Sequence, residues 1–237
     1  SQMQIKLGVI WCIPSSFILI LGGLSAALIA YYKLDIKEAL HLHMPSFKAT
    51  IATLLLAFTT WIPIGYLYSF VDDGGHSQHF MELLQPLMDA NVLVGILIIA
   101  LFPAIFEELV FRGVMFRGLK NEWGKWAVIL VTAFAFGLMH MDIYRMLPTT
   151  LIGVLLGYIL WQSGSIYLTA LFHFIHNGLS YLLSKYGTEE VITATEEAIP
   201  VVWVIAALAV MGLAIFILSK EEDKSTAAIT SPELAKE

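Results

Sequence analysis

Charge is scarce in this chain. Only 14% of its 237 residues are Asp, Glu, Lys or Arg, while 58% are hydrophobic. A soluble domain carries about 25% charged and about 45–50% apolar residues, so the balance excludes an ordinary soluble fold and makes lipid the expected solvent. Cysteine is nearly absent. Cys12 stands alone, which excludes an internal disulfide and any cysteine-based metal site, and it reads as a small apolar filler. Basic clusters are missing as well, and with them the electrostatic footprint of a nucleic-acid binder. No internal repeat of the kind that builds inverted-repeat transporters is visible.

Long apolar runs are what the chain does have, at 7–31, 49–71, 93–119, 125–143, 146–162, 165–184 and 199–218. Each is long enough to be read as a helix crossing a hydrocarbon core of about 30 Å. The expected fold is all-α: a polytopic membrane helical bundle of about seven transmembrane helices. The first run exceeds the apolar part of a signal peptide, and no small-residue cleavage site follows it. No large soluble insert separates the runs, so 1–219 reads as one transmembrane domain with its motif-bearing core at about 93–184. The charged segment 220–237, without aromatics, reads as a disordered cytoplasmic tail.

Lys33, Lys37 and Lys48 follow the first run, Arg117, Lys120 and Lys125 the third, and Lys220 and Lys224 the last. The 72–90 loop has no Lys or Arg and carries Asp72, Asp73, Glu82 and Asp89; the 184–198 loop is rich in Glu. By the positive-inside rule the N-terminus lies outside and the C-terminus in the cytoplasm, with Arg145 on the unexpected side. The 72–90 loop, with Gly74, Gly75, His76 and His79, reads as an external lid or a surface amphipathic piece, and its histidines read as solvated loop residues and not ligands. Gly153 and Gly157 form a small-xxx-small pair that lets a second helix come close.

Against this apolar background a few polar residues stand out, and ionisable groups in a bilayer mark pathways or chemistry. They lie in Glu107-Glu108-Leu-Val-Phe-Arg112, in Phe136-Gly-Leu-Met-His140 and in His173-Phe-Ile-His-Asn177. Glu108 and Arg112 stand at i and i+4 on one helix face, the spacing of an ion pair. Glu107 points about 100° away and has no local partner, which suits a general base. His173 and Asn177 share a face in the same manner, as do Phe136 and His140. His176 reads as a packing residue. Helical rise places Glu107 and His140 roughly 20–24 Å from the cytoplasmic side and His173 and Asn177 roughly 12–18 Å. Their meeting requires the third helix to be long and tilted, with a bend at Pro103.

The three stretches resemble the motifs of the CPBP family, the CAAX-processing and bacteriocin-processing membrane proteases also called Abi proteins. The family pattern is EExxxR, FxxxH and HxxxN, and this chain carries it in order as Glu107-Glu108…Arg112, Phe136…His140 and His173…Asn177. The resemblance covers roughly 93–184. It implies a glutamate-dependent intramembrane endopeptidase related to the Ras-converting CAAX protease, acting on a peptide or membrane-protein substrate. It implies that Glu107 and His140 activate a water molecule and that His173 and Asn177 stabilise the oxyanion, with Glu108, Arg112 and Phe136 in support. The family is described as metal-independent, so no cofactor is expected. The implied setting is the plasma membrane of a prokaryote.

Two other readings are compatible with the same residues. Two His and a Glu suffice to ligate a catalytic zinc, although no HExxH spacing is present. A non-proteolytic membrane partner, such as an immunity factor or a transporter-associated subunit, would use the first two runs and their Lys-bearing connection to dock another membrane protein. Function has to be argued from the site rather than from the fold.

Overall fold

The computed structural model describes residues 2–70, 82, 84–187 and 199–221, with the backbone alone at 2–7 and 9. The expected lid residues Gly74, Gly75, His76 and His79, the Glu-rich 188–198 segment and the tail from 222 onward lie outside the described residues.

Helix α1 covers 2–31, and the short α2 is Ile36–Ala39. They are followed by α3 (Phe47–Tyr68), α4 (Val92–Lys120), α5 (Lys125–Met139), α6 (Ile143–Ser163), α7 (Ile166–Tyr186) and α8 (Val201–Ser219). Among the described residues there is no strand, only an isolated bridge between Leu42 and Ser165. Every apolar run of the sequence falls on a helix. Five of these helices, Ile10–Tyr31, Phe47–Tyr68, Val92–Lys120, Ile143–Ser163 and Val201–Ser219, are long and apolar enough to cross a membrane. Two runs of the expected seven fall short of that standard. Helix α5 has only 15 residues, and α7 has the length but is interrupted by His173, His176 and Asn177.

Local signals explain the boundaries. Asp35, Ser46 and Asn91 cap their helices by accepting from the backbone N–H of Glu38, Ala49 and Leu93, which satisfies donors that a helix start leaves open. The expected span 125–143 ends early, at Met139. Met141 takes a left-handed φ of 50°, which a helix cannot continue through. Asp142 Oδ1 then accepts from the N–H groups of Tyr144 (2.9 Å) and Arg145 (3.3 Å) to start α6. Helix α4 widens to π-helical geometry at Ile96–Leu101 and again at Leu109–Met115.

Helices α3, α6, α7 and α8 share an apolar core that includes Ala52, Leu56, Leu156, Phe172 and Leu218. Helices α5 and α6 lie closest. A Cβ on Gly153 would stand 2.9 Å from Ala133 Cα, and one on Gly157 would stand 3.2 Å from Ile129 Cγ2, so the small-residue pair does admit a neighbouring helix. Outward faces are apolar, with exposed Leu19, Ile20, Leu130, Phe134, Leu208 and Phe216. Trp123 and Trp126 are exposed where α4 hands over to α5, and Tyr186 and Trp203 at the opposite helix ends, matching the aromatic belts of spanning proteins.

Candidate active site

Glu107 and Glu108 close the α-helical stretch Phe102–Glu108 of α4, just before its second π-helical segment. Both side chains are buried, as is Arg112. Glu108 and Arg112 meet as their spacing predicts: Nη1 donates to Glu108 Oε1 at 3.1 Å. The guanidinium also reaches another helix, where Nη2 donates to the Gly153 carbonyl of α6 at 3.2 Å.

His173 of α7 places Nδ1 2.9 Å from the same Glu108 Oε1. A carboxylate paired with arginine accepts, so Nδ1 carries the proton. The other ring nitrogen, Nε2, faces Glu107 Oε2 at 3.8 Å, beyond hydrogen-bond reach. Glu107 Oε2 is buried and has no hydrogen-bond partner. The two adjacent glutamates therefore differ in kind. Glu108 is held at Oε1 by a guanidinium and an imidazole, with its Oε2 unpartnered, whereas Glu107 Oε2 meets only the imidazole, at 3.8 Å.

His140 follows the last turn of α5, where its N–H donates to the Gly137 carbonyl. Its Nδ1 lies 2.9 Å from the Phe136 carbonyl. A carbonyl can only accept, so this nitrogen holds a proton and a neutral ring presents Nε2 as a bare lone pair. Phe136 is the hub between the three motifs. Its ring packs edge-on against His140 (5.2 Å between centroids), His173 (5.7 Å) and Phe111 (5.4 Å), and Arg112 lies 4.4 Å over its face. A guanidinium on an aromatic face is an attractive cation–π contact.

Asn177 is turned differently. Its Nδ2 donates to the Ile99 carbonyl of α4 at 3.3 Å. His176 is buried, stacks on Phe172 at 6.0 Å and 7°, and has no hydrogen bond at Nδ1. That is a packing environment.

Three features were not visible as site elements in the sequence. The carbonyls of Gly153 and Ile99 are backbone atoms, which side-chain patterns do not reveal. Arg145, singled out only as a misplaced loop cation, sits in the first turn of α6 within electrostatic range of Glu107, His140 and Tyr68. Among the described residues no group of three or more His, Cys, Asp or Glu is arranged to hold a metal ion.

Apolar outer faces, aromatic helix ends and an enclosed acid–base cluster define an integral membrane protein with a polar site inside the helix bundle. Residues 89–179 match the family model described as Rce1-like, type II CAAX prenyl endopeptidase Rce1-like. That match supports the CPBP, or CAAX protease, family and an intramembrane endopeptidase of the CAAX type, and it spans every residue of the cluster from Glu107 to Asn177. No curated protein and no solved structure matches the chain.

Proposed function

We propose that the protein hydrolyses a peptide bond within the membrane, with a water molecule activated by Glu107 and His140 and an oxyanion held by His173 and Asn177. The observation that carries this reading is the buried Glu107 carboxylate, whose Oε2 has no hydrogen-bond partner and faces His173 Nε2 at 3.8 Å. An enclosed, uncommitted carboxylate beside an imidazole is the arrangement a general base needs.

Charge balance refines the roles. Glu107, Glu108 and Arg112 together hold two potential negative charges and one positive, all buried. Uncompensated charge is strongly disfavoured in such surroundings, so the cluster calls for one more proton, shared between Glu107 and His173 Nε2. In the attack step, water loses a proton to Glu107 while its oxygen bonds to the scissile carbonyl carbon. His140 accepts from the water's second hydrogen and orients it. With the shared proton on Nε2, His173 donates to the developing oxyanion alongside the Asn177 amide. The C–N bond then breaks as Glu107 returns a proton to the leaving amine. Glu108 fixes the His173 ring, Arg112 fixes Glu108, and Phe136 sets the spacing of the two imidazoles.

The substrate in this reading is a peptide or membrane-protein segment, with a prenylated CAAX tail as the first one to try. The N-terminus lies outside and the C-terminus in the cytoplasm of a prokaryote, with a single transmembrane domain to 219 and a cytoplasmic tail beyond it. The test uses an S-farnesylated CAAX peptide and the purified full chain, together with a comparison of protein termini in membranes holding wild-type or Glu107→Gln protein. Wild type should cleave, and Glu107→Gln, which keeps the volume and loses the base, should not. Equal product from the two proteins would overturn the assignment.

A further inference from the structure

The hydrogen bond from Asn177 has an unusual acceptor. Carbonyls inside a helix are normally closed by the N–H of the residue at i+4. For Ile99 that residue is Pro103, which has no N–H to give. Ile99 also lies within the π-helical segment Ile96–Leu101, a geometry often found at functional sites. Across the interface, α7 packs on α4 at this level: a Cβ on Gly178 would make ordinary van der Waals contact with Ala100 Cβ, at 3.8 Å. The Ile99 carbonyl therefore has no i+4 donor on α4 where the Asn177 amide arrives from α7, and the two meet at 3.3 Å.

The geometry points to Pro103 as a positioning residue for Asn177. By withholding an N–H from Ile99, it leaves a backbone carbonyl to hold one amide proton of Asn177 and aim the other at the oxyanion. A carboxamide has two N–H donors, and its terminal torsion is broad unless something fixes it. Proline within a helix is otherwise unfavourable, so this one stabilises the arrangement of the site at the expense of the helix that carries it. The inference rests on the assignment of Asn177 to the oxyanion site.

Pro103→Ala tests it, because alanine restores the missing N–H and is a better helix former. The chain has asparagine only at Asn91, Asn121 and Asn177, so asparagine-selective ¹⁵N labelling of the full-length protein in micelles resolves the Asn177 side chain. Pro103→Ala should shift the two Asn177 carboxamide proton resonances towards each other and leave those of Asn91 and Asn121 in place. Turnover of the farnesylated CAAX peptide should fall by a substantial part of the about 10²–10³-fold that loss of an oxyanion donor brings, with KM little changed and melting temperature equal or higher. In an Asn177→Ala background, Pro103→Ala should have no further effect. If Asn177→Ala slows turnover but Pro103→Ala moves neither the resonances nor the rate, the inference falls and the oxyanion assignment stands. Equal rate losses in both backgrounds overturn it as well. If Asn177→Ala itself leaves turnover intact, the oxyanion assignment falls and takes the inference with it.

Discussion

Two helix pairs in this bundle are joined by different mixtures of close packing and hydrogen bonds. Between α5 and α6 the contact depends on side chains that are not there. A Cβ on Gly137 would stand 2.1 Å from Thr150 Oγ1 and 2.7 Å from the Met146 carbonyl, with Gly153 next at 2.9 Å from Ala133 Cα and Gly157 looser at 3.2 Å from Ile129 Cγ2. Between α4 and α7 hydrogen bonds are added to close packing: a Cβ on Gly95 would stand 2.0 Å from Tyr181 Oη, while Glu108 meets His173, Ile99 meets Asn177, and Lys185 donates to the Met88 and Ala90 carbonyls just before α4. Lipid removes the hydrophobic drive between helices, which leaves close packing and hydrogen bonds to hold them. Packing predominates in the first pair, whereas the second adds buried hydrogen bonds from the polar cluster to its packing. Arg112 ties one to the other through the Gly153 carbonyl.

The largest expected effect comes from cutting that tie. Arg112→Leu leaves Glu108 buried without its guanidinium, a change that costs about 3–5 kcal/mol, and thermal melting of purified protein should show it. Glu108→Gln in the same chain should recover much of the loss, whereas Glu107→Gln alone should leave stability unchanged or raise it. The opposite pattern, a silent Arg112→Leu and a destabilising Glu107→Gln, would make Glu107 the structural acid and Glu108 the base.

An intermediate effect is expected at the packed pair. Gly137→Ala places a methyl against Thr150 and the Met146 carbonyl, and such overpacking costs about 1–3 kcal/mol. Since His140 hydrogen-bonds back to the Gly137 carbonyl, turnover per folded molecule should fall too. A variant with unaltered melting and turnover would mean that the two helices part without consequence, and the packing interpretation would fail.

The smallest effect is expected at His176. His176→Phe keeps the stack on Phe172 and removes a buried nitrogen that has no partner. Stability should change by no more than about 0.5 kcal/mol and peptide turnover should stay the same. A large fall in turnover at constant stability would bring His176 into the chemistry.

The helices were legible in the sequence because lipid demands long apolar runs, and seven such runs are hard to miss. Their exact ends were not. The early stop of α5 depends on a left-handed Met141 and on Asp142 acting as a cap, and both are conformational choices that hydropathy does not register. Within the cluster, the Glu108–Arg112 pair followed from helical spacing alone. Rise-based heights left His173 well below Glu107, yet the structure brings the two side chains to 3.8 Å. That meeting is expected to need a long, tilted third helix, and the two π-helical segments of α4 are what residue spacing does not register. The carbonyls of Ile99 and Gly153 stayed hidden for a simpler reason, since every residue has one. Pro103 is the available signal, since it denies Ile99 a donor at i+4 as well as favouring a bend.

Helix α5 contains 15 residues, which at the helical rise gives about 22 Å, roughly 8 Å less than a typical hydrocarbon core. Such a hydrophobic mismatch is relieved by thinning of the bilayer around the short helix. His140 stands at the C-terminal end of this helix, where thinning of the bilayer would bring headgroups and solvent nearer to it. For the proposed hydrolysis, a helix this short would shorten the path by which water, the second reactant, reaches the cluster.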